Sequence, residues 1–147
     1  MPLAPTDTHL ELAGRLRLVI ARTARRLRQE AGTALSPSQG AALATIECRG
    51  PLTPSEVAAI ERIQRPTATR ILTRLEEAGL IARAADPGDG RSSLLTITPA
   101  GRALLRDQRT RKNAFLARRL DGLGADELAT LERAAAILER TLEVEPR

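Results

Sequence analysis

The chain has 147 residues, 42% apolar and 28% charged, which is the balance of one globular domain that buries ~70% of its unfolded surface without a disulfide or metal. A single Cys (Cys48) and a single His (His9) exclude an intrachain disulfide and a cysteine- or histidine-rich metal site, and with no long apolar run or signal-peptide core the expectation is a soluble cytoplasmic protein without a membrane partner. Net charge is +5, which favours a polyanionic partner; 22 of the 23 basic residues are Arg, a bias that suits phosphate and guanine contacts and that a high-GC genome also produces. Phe115 is the one aromatic, so a nucleic-acid partner should be a duplex, since single-strand recognition needs stacking platforms.

The charge is segregated. Residues 1–120 carry 20 basic and 11 acidic side chains, whereas residues 121–147 carry 3 and 7. One part of the chain thus suits an anion and the other suits protein.

Taken in order, Asp7 to Glu30 reads as a helix with Leu12, Leu16, Val19, Ile20 and Leu27 at helical spacing, stopped by Gly32. His9 is expected to be an exposed residue of the helix start. Ser36-Pro37-Ser38-Gln39 is a capping box with Pro at the first helical position, opening a short helix through Ala42, Leu43 and Ile46 that Gly50-Pro51 closes. Cys48, at its end, reads as a small buried hydrophobe. Thr53-Pro54-Ser55-Glu56 repeats the box and opens a second short helix through Val57, Ile60 and as far as Ile63. A third runs from Arg65 to Ala78, capped by Gln64, with Ile71, Leu72 and Leu75 inward and Gly79 as its stop.

The period then changes to two. Ile81–Ala85 and Ser93–Thr98 read as strands, joined by an open tip over Asp86-Pro87-Gly88-Asp89-Gly90-Arg91. Thr98-Pro99 starts a long basic helix, carrying Arg102, Arg106, Arg109, Arg111 and Lys112, that Gly122 and Gly124 break. Its basic face can be solvated, can meet acidic residues such as Glu132 and Glu139 of the last helix across a dimer, or can touch DNA. The last helix has Leu128, Leu131, Ala135, Leu138 and Leu142 spaced three and four in alternation, a seam suited to another helix.

Three short helices followed by a two-stranded ribbon form the plan of a winged helix-turn-helix: a mainly α fold with a small β-wing, flanked by long dimerisation helices. The third helix offers Arg65, Thr67, Thr69, Arg70, Thr73 and Arg74 outward, with no acid between Arg65 and Leu75. A recognition helix enters the major groove in this way, Arg forking to guanine and Thr meeting a phosphate or a thymine methyl. The alternative is a solvated amphipathic helix, which would normally mix both signs.

TPSEVA (53–58), RPTATRILTRLEEAGLI (65–81) and DPGDGRSSLLTITPAG (86–101), in this order and spacing, make the stretch from Leu35 to Gly101 resemble the multiple-antibiotic-resistance regulators, the MarR family of bacterial winged helix-turn-helix transcription factors. The resemblance implies that Arg65, Pro66, Thr67, Thr69 and Arg70 are recognition-helix contacts, with Arg74 a weaker one. It implies a minor-groove role for Arg91 of the Asp-x-Arg wing signature, braced by Asp89, and phosphate contacts for Thr53 and Ser55. It also implies three regions: residues 1–34 as a dimerisation helix, 35–98 as the DNA-binding domain with its wing at about 81–98, and 99–147 as two further dimerisation helices. Leu12, Leu16, Ile20, Leu128, Leu131, Ala135, Leu138 and Leu142 would then pair two copies on a pseudo-palindromic operator.

The family's sensing residues do not carry over. There is no early cysteine with supporting tyrosines, no metal cluster, and almost no aromatic pocket lining. Gly40 stands where the family usually has a bulky residue, so a neighbour fills the space or a cavity exists. A small organic effector in the crevice between DNA-binding region and dimer helices, and repression released by it, are what the resemblance implies. No Ser/His/Asp or Cys/His set and no phosphate loop is present, so neither an enzyme nor a cofactor is expected. The competing reading is a winged-helix module for protein–protein assembly with incidental charge.

Overall fold

The structure, a computed structural model, describes residues 6–32 and 34–143. Both capping boxes form. Ser36 Oγ accepts from Gln39 N–H at 3.2 Å while Gln39 Oε1 accepts from Ser36 N–H at 2.9 Å, opening α2 (Pro37–Arg49). Thr53 and Glu56 do the same for α3 (Pro54–Ile60). Ahead of them lies α1 (Asp7–Glu30), N-capped by Thr6, with His9 exposed in its first turn. After them comes α4 (Arg65–Glu77), whose end is a Schellman turn: Gly79 takes φ 71°, its N–H reaches Glu76 O, and Leu80 N–H reaches Leu75 O.

Three expectations need correction here. Ile63 is not helical but lies in the turn after α3, which ends at Ile60. Gln64 sits at the N-cap of α4 but makes no side-chain capping bond. Cys48 is exposed, not buried. The inward side of α2 is Ala42, Leu43 and Ile46, and two residues past Ile46 is ~200° around the helix.

The wing pairs β1 (Ile81–Asp86) with β2 (Asp89–Ile97) in antiparallel register from Ile81↔Ile97 to Ala85↔Ser93. The expected open tip is tighter than that. Asp86 pairs with Asp89 across Pro87-Gly88, and the slack is taken by a register shift that leaves residues 90–92 without partners in β1. Leu52, between α2 and α3, adds a bridge to Leu95, with hydrogen bonds of 3.2 and 2.7 Å in the two directions. Alternation of apolar residues did not reveal this third, one-residue strand.

The core lies where these pieces meet. Leu43 and Ile46 of α2, Val57 of α3, Leu72 and Leu75 of α4 and Leu95 of β2 are fully buried. Thr98 ties the wing back to α4, donating from Oγ1 to Gly79 O at 2.6 Å and accepting from Gly101 N–H at 3.1 Å. This begins α5 (Pro99–Leu120), which sends Leu105 into the core.

Two compact units, residues 1–112 and 113–147, make up the chain. In the second, Gly124 N–H donates to Glu127 Oε2 at the start of α6 (Ala125–Glu143), and the Arg119 guanidinium stands 5.1 Å from the Phe115 ring centre. Among the described residues no helix is long and apolar enough to cross a membrane, and no cluster of His, Cys, Asp and Glu has the form of a metal site.

Gly101 is closely packed: an added Cβ would lie 2.3 Å from Leu80 O and 2.8 Å from Ile97 Cγ1. Gly101→Ala should therefore destabilise the protein by about 1–3 kcal/mol, read as a lowered midpoint in denaturant unfolding, because the obstructing atom is backbone.

Candidate nucleic-acid interface

The α4 helix has two unlike faces. Ala68, Ile71, Leu72 and Leu75 are buried, which turns Arg65, Pro66, Thr69, Arg70, Thr73 and Arg74 outward to an exposed surface and leaves Thr67 half-buried at its edge. Among the described residues Arg74 and Glu77 form no ion pair, so Arg74 belongs to the same basic face. Thr69 donates its hydroxyl to Arg65 O at 3.0 Å, leaving its methyl group and lone pairs facing out. With no side-chain cap, the first-turn amides of α4 stay open to an anionic partner.

Thr53 and Ser55 differ. The Thr53 hydroxyl and N–H are both engaged with Glu56, whose carboxylate is held below the ordinary range by the Thr53 backbone and side-chain hydrogen bonds. The donors that Thr53 was expected to offer a phosphate are thus already met by a carboxylate. Ser55 is exposed beside it.

At the wing, among the described residues, the Asp89 carboxylate meets the Arg91 backbone and forms no ion pair with its guanidinium. Asp89 Oδ1 accepts from the Arg91 backbone N–H at 3.0 Å, and Asp86 Oδ1 accepts from Gly88 N–H at 2.9 Å. The physical reason is the register shift: the Arg91 amide has lost its ladder partner, and the nearest carboxylate satisfies it. Asp89 therefore shapes the tip, and the Arg91 side chain extends from it, exposed.

Two further residues join this surface without having been singled out in the sequence. Arg83 of β1 donates from Nε to Glu76 Oε2 of α4 at 3.2 Å and from Nη1 to Ser93 Oγ of β2 at 2.8 Å. Arg62, in the turn between α3 and α4, is exposed and has φ 53°. It fills the left-handed position of a Schellman turn, with Ile63 N–H bonded to Ala58 O and Arg62 N–H to Ala59 O. The signal was present as an absence, since no Gly stands between two helices that need such a turn.

A separate cavity of about 700 Å³ lies among α1, α2 and α5. Leu35, Ala41, Ala44 and Leu105 give it apolar walls, and Arg25, Arg28, Arg109 and Lys112 give it cations. Gly40 opens it: nothing lies within 4 Å of where its Cβ would be, so of the two possibilities at this position the cavity is the one present. Arg109 is also paired with Glu47 of α2, whose hydrogen bond holds the guanidinium pKa above its ordinary value. Arg111 pairs with Asp107 within α5 at 3.1 Å, so part of the basic face of that helix is neutralised inside the chain.

A helix-turn-helix with a basic outward helix and a β-ribbon whose tip exposes Arg91 defines a winged-helix DNA-binding module. A sequence model of the MarR family matches residues 35–93. An HTH-type transcriptional regulator of Mycobacterium tuberculosis is 33% identical over 95% of this chain and 99% of its own length. The multiple antibiotic resistance protein MarR of Salmonella typhimurium is 35% identical over 67% of this chain and 69% of its own. A Pseudomonas aeruginosa PA01 protein crystallised as a transcriptional regulator superposes with a TM-score of 0.86 at 35% identity, covering 96% of this chain and 100% of that one. This chain belongs to the MarR family, whose members are transcription regulators and not enzymes.

The strained Arg62 gives a test of the turn. Arg62→Gly should raise the thermal midpoint, by up to about 1 kcal/mol of stability, because glycine adopts a positive φ without the Cβ clash.

Proposed function

We propose that this protein is a cytoplasmic transcriptional repressor that binds a pseudo-palindromic duplex operator as a homodimer and leaves it when a small organic molecule fills the cavity lined by Gly40. The carrying observation is the outward face of α4, exposed and basic with no acid from Arg65 to Leu75, standing beside a ribbon whose tip presents Arg91. In this reading Arg65, Pro66, Thr67, Thr69 and Arg70 meet the major groove and Arg91 enters the adjacent minor groove. Arg62, Arg74 and Ser55 lie along phosphates, while Thr53 and Asp89 set local backbone shape. An assembly module without a DNA target gives no reason to keep that face free of carboxylates.

Homodimer formation rests on unsatisfied apolar surface. The 24-residue α1 buries no side chain; Leu12 is 54% and Ile20 47% exposed, with Leu16 half-buried. In α6, Leu128 and Leu131 are 41% and 48% exposed, Ala135 is exposed and Leu138 half-buried; the Leu142 side chain lies outside the described residues. Surfaces of this kind mark an interface. The effector reading rests on the cavity, whose cations and apolar walls suit a small organic acid.

The test is binding to the DNA upstream of the protein's own gene, with half-sites about one helical turn apart. Affinity should fall steeply with salt, and light scattering should give a dimer. Arg70→Ala should lose about 1–3 kcal/mol of discrimination between operator and scrambled duplex. Arg91→Ala should weaken all operators and flatten a preference for A·T-rich flanks. Unchanged affinity and salt slope in both variants would overturn the reading.

Gly40→Leu fills the cavity from α2. It should leave operator binding intact while removing any stabilisation of the protein by benzoate, used as the probe acid in thermal unfolding.

A further inference from the structure

We infer that Arg83 is a positioning residue for the wing: its guanidinium is a strut between α4 and the β-ribbon that holds Arg91 at the height from which it reaches DNA. The inference rests on the DNA-binding reading above and adds to it the part that aims the wing.

Burial along the ribbon shows where the strut is needed. At its base, Ile81 and Ile97 face each other and are buried, and Leu95 is fully buried. Toward the tip, residues 82–85 of β1 are all exposed, and before Leu95 no side chain of β2 is fully buried, so past the Arg83–Leu95 pair apolar packing no longer fixes the ribbon. Ile81, Arg83 and Ala85 share one face of the strand, and Leu95, opposite Arg83, turns that face toward the core. Arg83 therefore stands at the outer edge of the apolar base, level with Leu95, on the side facing α4. From there it reaches Glu76 in the last turn of α4 and Ser93 across the ribbon, two elements held by the two arms of one planar group.

The pair is exposed, with side-chain accessibilities of 34% for Arg83 and 40% for Glu76, so its contribution to folding is small. Its effect on geometry is larger. The tip lies ~10 Å beyond the Arg83–Leu95 pair, three strand residues away, so a pivot of ~10° moves Arg91 by ~2 Å, enough to break a hydrogen bond to DNA. Glu76 would otherwise be an acidic side chain next to a polyanion; paired with Arg83, it becomes the anchor of the wing.

Operator affinity of the full-length protein by fluorescence anisotropy tests this. Arg83→Ala should weaken binding roughly fivefold, and Arg91→Ala should cost at least threefold less in the Arg83→Ala background than in wild type, the coupling expected for two residues acting through one element. Glu76→Gln has the telling sign: loss of a negative charge near DNA would by itself tighten binding, whereas loss of the strut weakens it. The exchange E76R with R83E, which rebuilds the pair in reverse, should restore the full effect of Arg91→Ala. Thermal midpoints should match wild type throughout. Glu76→Gln binding as well as or better than wild type, multiplicative losses from Arg83→Ala and Arg91→Ala, or a fall in midpoint parallel to the loss of binding would each overturn the inference alone. Arg91→Ala without effect in the wild-type background would overturn the wing reading itself, and this inference with it.

Discussion

Burial of one side of α4 is the constraint on which the rest of this protein depends. Ala68, Ile71, Leu72 and Leu75 enter the core shared by α2, α3 and β2, and at 3.6 residues per turn this settles which side chains face out. A one-residue slip would rotate the helix by ~100° and bring carboxylates or apolar groups to the presented surface. The neighbours lock that angle. Val57 presses from α3, Leu43 and Ile46 from α2, and the Schellman turn at Gly79 turns the chain directly into the wing. Thr98 and Gly101 then close the wing back onto the same turn, so that the basic helix and the ribbon share one foundation.

The wing is held in a graded way. Its base is apolar and bridged by Leu52, its middle is tied by polar contacts of Arg83, and its tip is shaped by Asp86 and Asp89 acting on local amides. Such a gradient suits a part that must stand at a set angle and still adapt at its end. Arg suits both positions for different reasons. At position 83 its fork spans two elements, and at position 91, in the proposed reading, its weakly hydrated guanidinium is the group best matched to a narrow, negative groove.

The long helices pose the opposite problem. The 24-residue α1 has no fully buried side chain, and Leu12, Val19 and Ile20 remain exposed along it, apolar surface that packing within the chain leaves uncovered. The proposed homodimer covers it and sets two basic faces on one duplex. The cavity at Gly40 lies between α1, α2 and α5, so a ligand there touches both a helix of the proposed dimer surface and the core that carries α4. The ion pair of Arg109 with Glu47 crosses between α5 and α2 at the same place.

Much of this was legible from residue order. The two capping boxes, the helical spacing of Leu72 and Leu75, the Gly79 stop and the change of period at Ile81 are local signals, each read from residues within one turn of one another. Their succession points to a winged helix-turn-helix, and the basic outward face of α4 follows from the same periodicity. What the sequence left open depended on groups far apart in it. Whether Gly40 meant a filled space or a cavity depended on what stands across from it in α1 and α5. Cys48 was misplaced because the rotation of α2 is set by its packing against α3, α4 and β2. The partner of Asp89 turned on a register shift that frees one amide in β2, and the role of Arg83 on Glu76 seven residues earlier and Ser93 ten residues later. Local chemistry determines where an element begins, ends and points, because capping and periodicity act over three or four residues. Which long side chain meets which is decided only when the elements are packed, because a flexible Arg reaches several partners and the tertiary arrangement leaves it one.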